Sequence, residues 1–153
     1  MLSVMIKIVS VESPYSSPDP AILAGNIAYA ILATKNAARV YGEVPFTSHL
    51  LLTQTVTPDG LSTYVSDLVP DDLGVGRDKT IEMTHAVRMK CDAVVMYVDR
   101  GISRGMESGR QAALKAGIPV IERHLSADEL ARVAAAERAR FPFPAAAMPV
   151  REE

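Results

Sequence analysis

The chain has 153 residues and a formal net charge of −2 at pH 7, with 48% hydrophobic and 22% charged residues. These values are typical of one globular domain. The weak negative charge and the lack of a basic stripe argue against nucleic acid as a partner, and no apolar run reaches the roughly 20 residues of a membrane span. Cys91 is the only cysteine, so an intrachain disulfide is excluded and a cytoplasmic location is favoured.

The first third of the chain predicts a strand, a long helix and a second strand. The apolar residues 4–11, interrupted at Lys7, indicate a first strand rather than a signal peptide. A polar, proline-rich turn over residues 12–20 follows. There Asp19 is suited to cap a helix and Pro20 to occupy its first position. The helix is expected to end at Gly42, and residues 44–46 form a short second strand.

The middle of the chain is the least regular part. Residues 55–76 are interrupted repeatedly by proline and glycine, which predicts a long loop with at most one helical turn. Loops of this length are often functional or mobile. Residues 77–90 predict a helix with Ile81, His85 and Met89 on one side, so His85 is expected in the core or at an interface.

The last third contains the clearest unit. Residues 93–98 are a continuous apolar run typical of a buried parallel strand. A loop from Asp99 follows, then a helix from near Met106 to Gly117, and a strand that begins at Val120. A capping box that starts at Ser126 predicts a further helix to about residue 140.

This alternation of strands and helices predicts an α/β fold. We expect a single domain over residues 1–140, with an open parallel sheet of four to five strands flanked by helices, as in Rossmann and flavodoxin-like folds. Residues 141–153 are expected to form a C-terminal tail or arm. Since ligands of open α/β sheets bind at the carboxyl ends of strands, chemistry is expected in the loop between Asp99 and Glu107.

Two carboxylates flank that loop. One could attack an anomeric carbon while the other donates or accepts a proton. The same residues also have ordinary structural explanations, because Asp99 can cap a loop and Glu107 can favour the helix dipole from the first turn.

Other polar residues follow the strands at the same predicted edge. The helix start at Ser103, Arg104, Gly105 and Met106, after Gly101, offers backbone donors to an anion but is not a Walker A motif. The first turn contains Ser13, Pro14, Tyr15 and Ser16. Its serine hydroxyls and tyrosine ring could contact a ligand, although such residues and proline also form turns for local reasons. The histidines, among them His49 after the second strand, have no metal-ligand spacing.

Together these stretches resemble the nucleoside 2-deoxyribosyltransferase-like superfamily, especially its small uncharacterised bacterial and phage branch. The resemblance covers roughly residues 4–123. It rests on Glu12-Ser-Pro-Tyr15, on Asn26, on Pro45-Phe-Thr-Ser-His49, and above all on Asp99-Arg-Gly-Ile-Ser-Arg-Gly-Met-Glu107-Ser-Gly-Arg with Ala-Gly117-Ile-Pro-Val.

The resemblance implies cleavage of the N-glycosidic bond of a nucleoside or nucleoside 5′-monophosphate, or transfer of its 2-deoxyribosyl group. Glu107 would be the nucleophile, Asp99 the proton donor and Tyr15 a positioning group. The resemblance implies no metal and no organic cofactor. It also implies that the protein is a homo-oligomer. The implied substrate-binding residues are Ser13, Pro14, Ser16, Asn26, His49, Gly101, Ser103, Arg104, Gly105 and Met106.

The sequence departs from the family pattern in one respect. The loop between Asp99 and Glu107 is about two residues longer, which corresponds to roughly 200° of helical rotation. Counted back from Gly117, the nucleophile's position falls on Gly109 instead of Glu107. In that case the chain is a non-catalytic nucleotide-binding module, or it uses another carboxylate such as Asp78 or Glu82. Hydrolysis of an NAD-like ligand is a further alternative.

Overall fold

The computed structural model describes residues 5–51, 53–56, 62–64 and 75–140. Six strands and four helices are defined within these ranges. In chain order they are β1 (Ile8–Glu12), α1 (Pro20–Tyr41), β2 (Val44–Phe46), β3 (Gln54–Val56), β4 (Ser62–Tyr64), α2 (Arg77–Arg88), β5 (Ala93–Tyr97), α3 (Arg104–Lys115), β6 (Val120–Arg123) and α4 (Ala127–Ala139).

Four of the strands form one parallel sheet in the order β2-β1-β5-β6. The connection from β1 to β2 runs toward one edge of the sheet, and the connection from β5 to β6 runs toward the other. The strand order therefore reverses between β1 and β5, the position at which open α/β sheets bind ligands. The predicted single-domain α/β fold with an open parallel sheet flanked by helices is confirmed.

Helices cover both faces of the sheet. On one face, α1 and α4 pack against each other and over a core that includes Val9, Tyr29 and Val95. On the other face, α3 contributes Met106 and Ala113 to a smaller cluster. Since successive strand residues point to opposite faces, the central strands are buried on both sides, as their apolar sequences require.

Local signals set most helix ends as predicted. The Asp19 carboxylate accepts a hydrogen bond from the Ala21 N–H at 2.8 Å, and Gly42 ends α1 with a φ of 65°. Ser126 and Glu129 form the predicted capping box of α4. The α3 helix begins at Arg104, two residues before the predicted start, because Ser103 is its cap.

Three predictions need correction. The first strand begins at Ile8 instead of residue 4 and includes Glu12. The expected loop over residues 55–76 contains an antiparallel pair, β3 and β4, whose threonine, valine and tyrosine residues favour strands; residues 57–61 and 65–74 lie outside the described residues. His85 is exposed and therefore does not lie in the core, while its expected place at an interface stays a prediction.

A helix that crosses a membrane must be both long and apolar. Among the described residues, no helix is both long enough and apolar enough to cross a membrane. The predicted tail or arm, residues 141–153, lies outside the described ranges.

Gly25 is buried on α1 where α4 approaches. A Cβ atom there would lie 3.0 Å from Arg100 Nη2 and would also collide with the Glu137 carboxylate. We therefore expect Gly25→Ala to shift the Glu137 carboxylate and weaken its ion pair with Arg100, which offsets the gain of up to about 1 kcal/mol in the free energy of unfolding that alanine brings to a helix. Urea denaturation measures this change.

The matched control is Gly105→Ala, since the nearest atom to a Cβ there, Ser103 Oγ, is 3.9 Å away. This variant should be as stable as the wild type or slightly more stable. A gain in stability of about 1 kcal/mol for Gly25→Ala, the full helix-propensity difference between alanine and glycine, would contradict the close approach of the Glu137 side chain.

Candidate functional site

Two loops border the reversal point of the sheet. Residues 13–17 follow β1 and residues 98–103 follow β5, and we call the space between them the switch crevice. The connections from these strands run in opposite directions, which is the arrangement that places the ligand sites of open α/β sheets beside such loops. The structure places all the predicted site residues on these two loops, on α1, after β2 or at the start of α3.

The β1 side of the crevice brings together the hydroxyl and aromatic groups that were predicted to bind a ligand. Ser13 is buried, and its Oγ lies 2.8 Å from Nε2 of His49, in a short 3₁₀ turn after β2. The rings of Tyr15 and His49 are tilted by 58° with centroids 5.6 Å apart. Pro14 is half-buried beside them, and Ser16 is exposed.

His49 is a neutral group in this arrangement. Burial lowers the pKa of its imidazole to about 4. At neutral pH the ring therefore has one nitrogen that donates and one that accepts, and it contacts Ser13 without a charge. Such a ring offers a ligand base a flat surface and a hydrogen-bonding edge.

Asn26 joins the two sides of the crevice. It is buried on α1, and its Nδ2 donates to the Tyr15 carbonyl at 2.9 Å. Its Oδ1 accepts from Arg100 Nε at 2.9 Å, and Arg100 also pairs with Glu137 of α4 at 2.9 Å. The side-chain amide of Asn26 thereby holds the two crevice loops in a fixed position relative to each other. No local sequence pattern indicates these roles of Arg100 and Glu137, because their partners are remote along the chain.

Asp99 is held firmly at the end of β5. Its Oδ2 accepts from the Tyr29 hydroxyl at 2.7 Å and from the Leu125 N–H at 3.0 Å, and its Oδ1 lies 3.0 Å from His124 Nδ1. Burial opposes ionisation, but the hydrogen bonds from Leu125, Tyr29 and His124 outweigh it, so the pKa of Asp99 lies below its usual value. These contacts favour a structural role. The proton-donor role remains a prediction.

The start of α3 is organised by Ser103 and Met106. Ser103 Oγ accepts from the Met106 N–H at 3.2 Å, and the Met106 side chain is buried in the core beneath the helix. Arg104 and Gly105 are exposed, as is the preceding Gly101, which has a φ of 85°. This helix start therefore presents an accessible surface beside the crevice.

Glu107 lies on the exposed side of α3. Its Oε1 accepts from Gln111 Nε2 at 2.7 Å, a contact that draws the carboxylate along the helix toward its second turn. Met106, Gly109 and Ala113 form the buried side of the same helix. The nucleophile role of Glu107 stays a prediction, and its carboxylate is reachable from solvent.

A buried ion pair occupies the space in front of Gly109. Arg88 donates to Glu12 Oε1 from Nε at 3.0 Å and from Nη2 at 2.8 Å, and Ser10 Oγ donates to the same oxygen at 3.2 Å. A Cβ atom at Gly109 would lie 2.9 Å from Arg88 Nη2. At this alternative nucleophile position the structure thus has an arginine and no free carboxylate. The only sequence signal for this pair was a charged residue at the end of a buried strand.

The pKa of His49 predicts a specific pH dependence of stability. The unfolded chain takes up a proton near pH 6.5 and the folded chain only near pH 4, so this contribution is complete above pH 6.5 and is lost as pH falls toward 4. The loss is at most about 3 kcal/mol. Urea denaturation at pH 7 and pH 4.5 should show it in the wild type and less of it in His49→Gln.

His85→Gln is the control, because His85 is exposed and this variant makes the same histidine-to-glutamine change on α2, away from the crevice loops. An NMR titration with a His49 midpoint near 6.5 would contradict the lowered pKa of this half-buried ring.

The described residues hold no group of three or more His, Cys, Asp or Glu side chains placed to bind a metal ion. A family model described as "Domain of unknown function (DUF7768)" matches residues 7–123, which include β1 to β6 and both crevice loops. No curated protein and no solved structure matches the chain. Because the match covers more than half of the sequence, the chain belongs to the DUF7768 family.

Proposed function

We propose that this protein binds a nucleoside or a nucleoside 5′-monophosphate in the switch crevice. The observation that carries the proposal is the double hydrogen bond of Asn26, which fixes the Tyr15 loop and the Arg100 loop on either side of the reversal point. The rings of Tyr15 and His49 offer a base a stacking surface. The start of α3 at Ser103 offers backbone donors to a sugar or phosphate.

In one version of the proposal the bound ligand reacts. The Glu107 carboxylate forms a bond to C1′ while the C1′–N bond breaks, and the base leaves with a proton donated by Asp99 in its protonated form, which Asp99 later recovers from the acceptor. Water or a second base then displaces the carboxylate. Hydrolysis and 2-deoxyribosyl transfer differ only in this last acceptor. The exposure of Glu107 at the first turn of α3 supports this version.

In the second version the protein binds the nucleotide and does not cleave it. Two observations favour this version. Asp99 is ionised and held by three groups, so it is a poor source of a proton for the leaving base. Gly109 faces the guanidinium of Arg88, so the alternative alignment places no carboxylate at the nucleophile's position. The geometry therefore supports nucleotide recognition more strongly than cleavage.

Calorimetry and chromatography separate these versions. The ligands are ribo- and deoxyribonucleosides, their 5′-monophosphates and NAD, and free base is the product measured. We expect saturable binding of one ligand class. Base release that is lost in Glu107→Gln would establish cleavage, and binding without release would establish the binding module. Asp128→Asn is the control, since Asp128 is an exposed first-turn residue of α4. Failure of every ligand to bind would contradict the proposed function.

We also propose a cytoplasmic homo-oligomer. The single cysteine supports the location. Exposed Ile81 and Met83 on α2, a helix that buries only Arg88, support self-association. Light scattering should give a multiple of the 16.5 kDa chain mass, and Ile81→Glu/Met83→Glu should lower it. Leu114→Glu, an exposed apolar position on α3, serves as the control. A wild-type mass of one chain would contradict self-association.

A further inference from the structure

The ion pair between Glu12 and Arg88 uses only part of each charged group. Both side chains are nine-tenths buried, and all the hydrogen bonds that reach the carboxylate end on Oε1. In the described part of the chain, neither Glu12 Oε2 nor Arg88 Nη1 has a partner. Every described side-chain nitrogen or oxygen that is sealed from solvent does have one. These two atoms must therefore reach accessible surface.

A second buried pair in the same protein shows what complete pairing looks like. Arg123 donates from Nη1 to Glu43 Oε2 at 2.7 Å and from Nη2 to Glu43 Oε1 at 2.8 Å. Both oxygens of that carboxylate are used, and the side chains are equally buried. Arg88 contacts only one carboxylate oxygen of Glu12, whereas Arg123 contacts both oxygens of Glu43. The difference therefore arises at the Glu12 site and is not a general property of buried ion pairs in this fold.

The position of the pair places it at the switch crevice. Glu12 is the last residue of β1, and the first crevice loop begins at the next residue. On the opposite side, Gly109 lets the guanidinium lie close against α3. An anionic acceptor and a cationic donor therefore stand side by side where the strand order reverses.

This combination fits two neighbouring hydroxyl groups. One hydroxyl can donate to Oε2 of Glu12, while the next accepts from Nη1 of Arg88. The carboxylate repels a phosphate, so the pair is unsuited to an anion. Assuming the nucleoside-binding function proposed above, we propose that Glu12 and Arg88 bind the 2′- and 3′-hydroxyls of a ribose and select ribonucleotides over 2′-deoxyribonucleotides.

The loss of one hydroxyl leaves a largely buried polar atom without its partner, which disfavours the deoxy ligand. We expect the wild type to bind the best of the four ribonucleoside 5′-monophosphates at least about tenfold more tightly than its 2′-deoxy counterpart. This preference sets the site apart from the 2-deoxyribosyl transfer that the family resemblance implies.

The test compares two double variants by calorimetry. Glu12→Met/Arg88→Met removes both charges together, since removal of one partner alone would leave a buried charge and destabilise the fold. The ratio of the deoxy to the ribo dissociation constant should fall to about one in this variant. Glu43→Met/Arg123→Met is the matched control, and its ratio should equal that of the wild type.

The outcomes distinguish this inference from the function on which it rests. If the wild type binds none of the eight nucleotides and none of the corresponding nucleosides, both are overturned. If the wild type binds the two forms equally, or if the Glu12→Met/Arg88→Met variant keeps the ribose preference, only the role of the pair is overturned. If the Glu12→Met/Arg88→Met variant does not fold, the ratio of the deoxy to the ribo dissociation constant of the wild type decides by itself whether the role of the pair holds.

Discussion

The reversal of strand order between β1 and β5 is the constraint on which the rest of the structure depends. Parallel strands require crossover connections, and these are right-handed. Because β1 leads to one edge of the sheet and β5 to the other, α1 and α3 must lie on opposite faces. The loops after the two central strands therefore lie at the position where open α/β sheets bind ligands.

Buried polar groups fix the walls of this crevice. The Asp99 carboxylate connects the end of β5 to α1 and to the segment before α4 through Tyr29 and Leu125. Asn26 connects the two crevice loops to each other. A loop held by paired buried groups keeps its position, which is the preorganisation that ligand binding requires. The carboxylate that suggested chemistry in the sequence thus contributes most clearly to architecture.

Features that depend on contacts between residues close in the sequence were predicted, whereas features that depend on contacts between distant residues were not. The ends of α1 and α4 depend on caps within a few residues, such as Asp19 and Ser126, and were predicted. The buried strand β5 was predicted because its residues form a continuous apolar run. The pair between Glu12 and Arg88 joins residues 76 positions apart, so no local pattern indicates it. The role of Gly109 is equally invisible in the sequence, because it depends on the side chain that packs against it.

NMR chemical-shift mapping with ribonucleoside 5′-monophosphates, added singly to the ¹⁵N-labelled protein, tests the central claim of a nucleotide site most directly. Binding at the switch crevice should shift the amide signals of residues 12, 13, 15, 49 and 99–106, which lie at or after the ends of β1, β2 and β5 and at the start of α3. The signals of the outer surface of α4 should stay unchanged. Shifts confined to α4 or to the outer strands, or no shifts with any of the four nucleotides and none with the corresponding nucleosides, would contradict it.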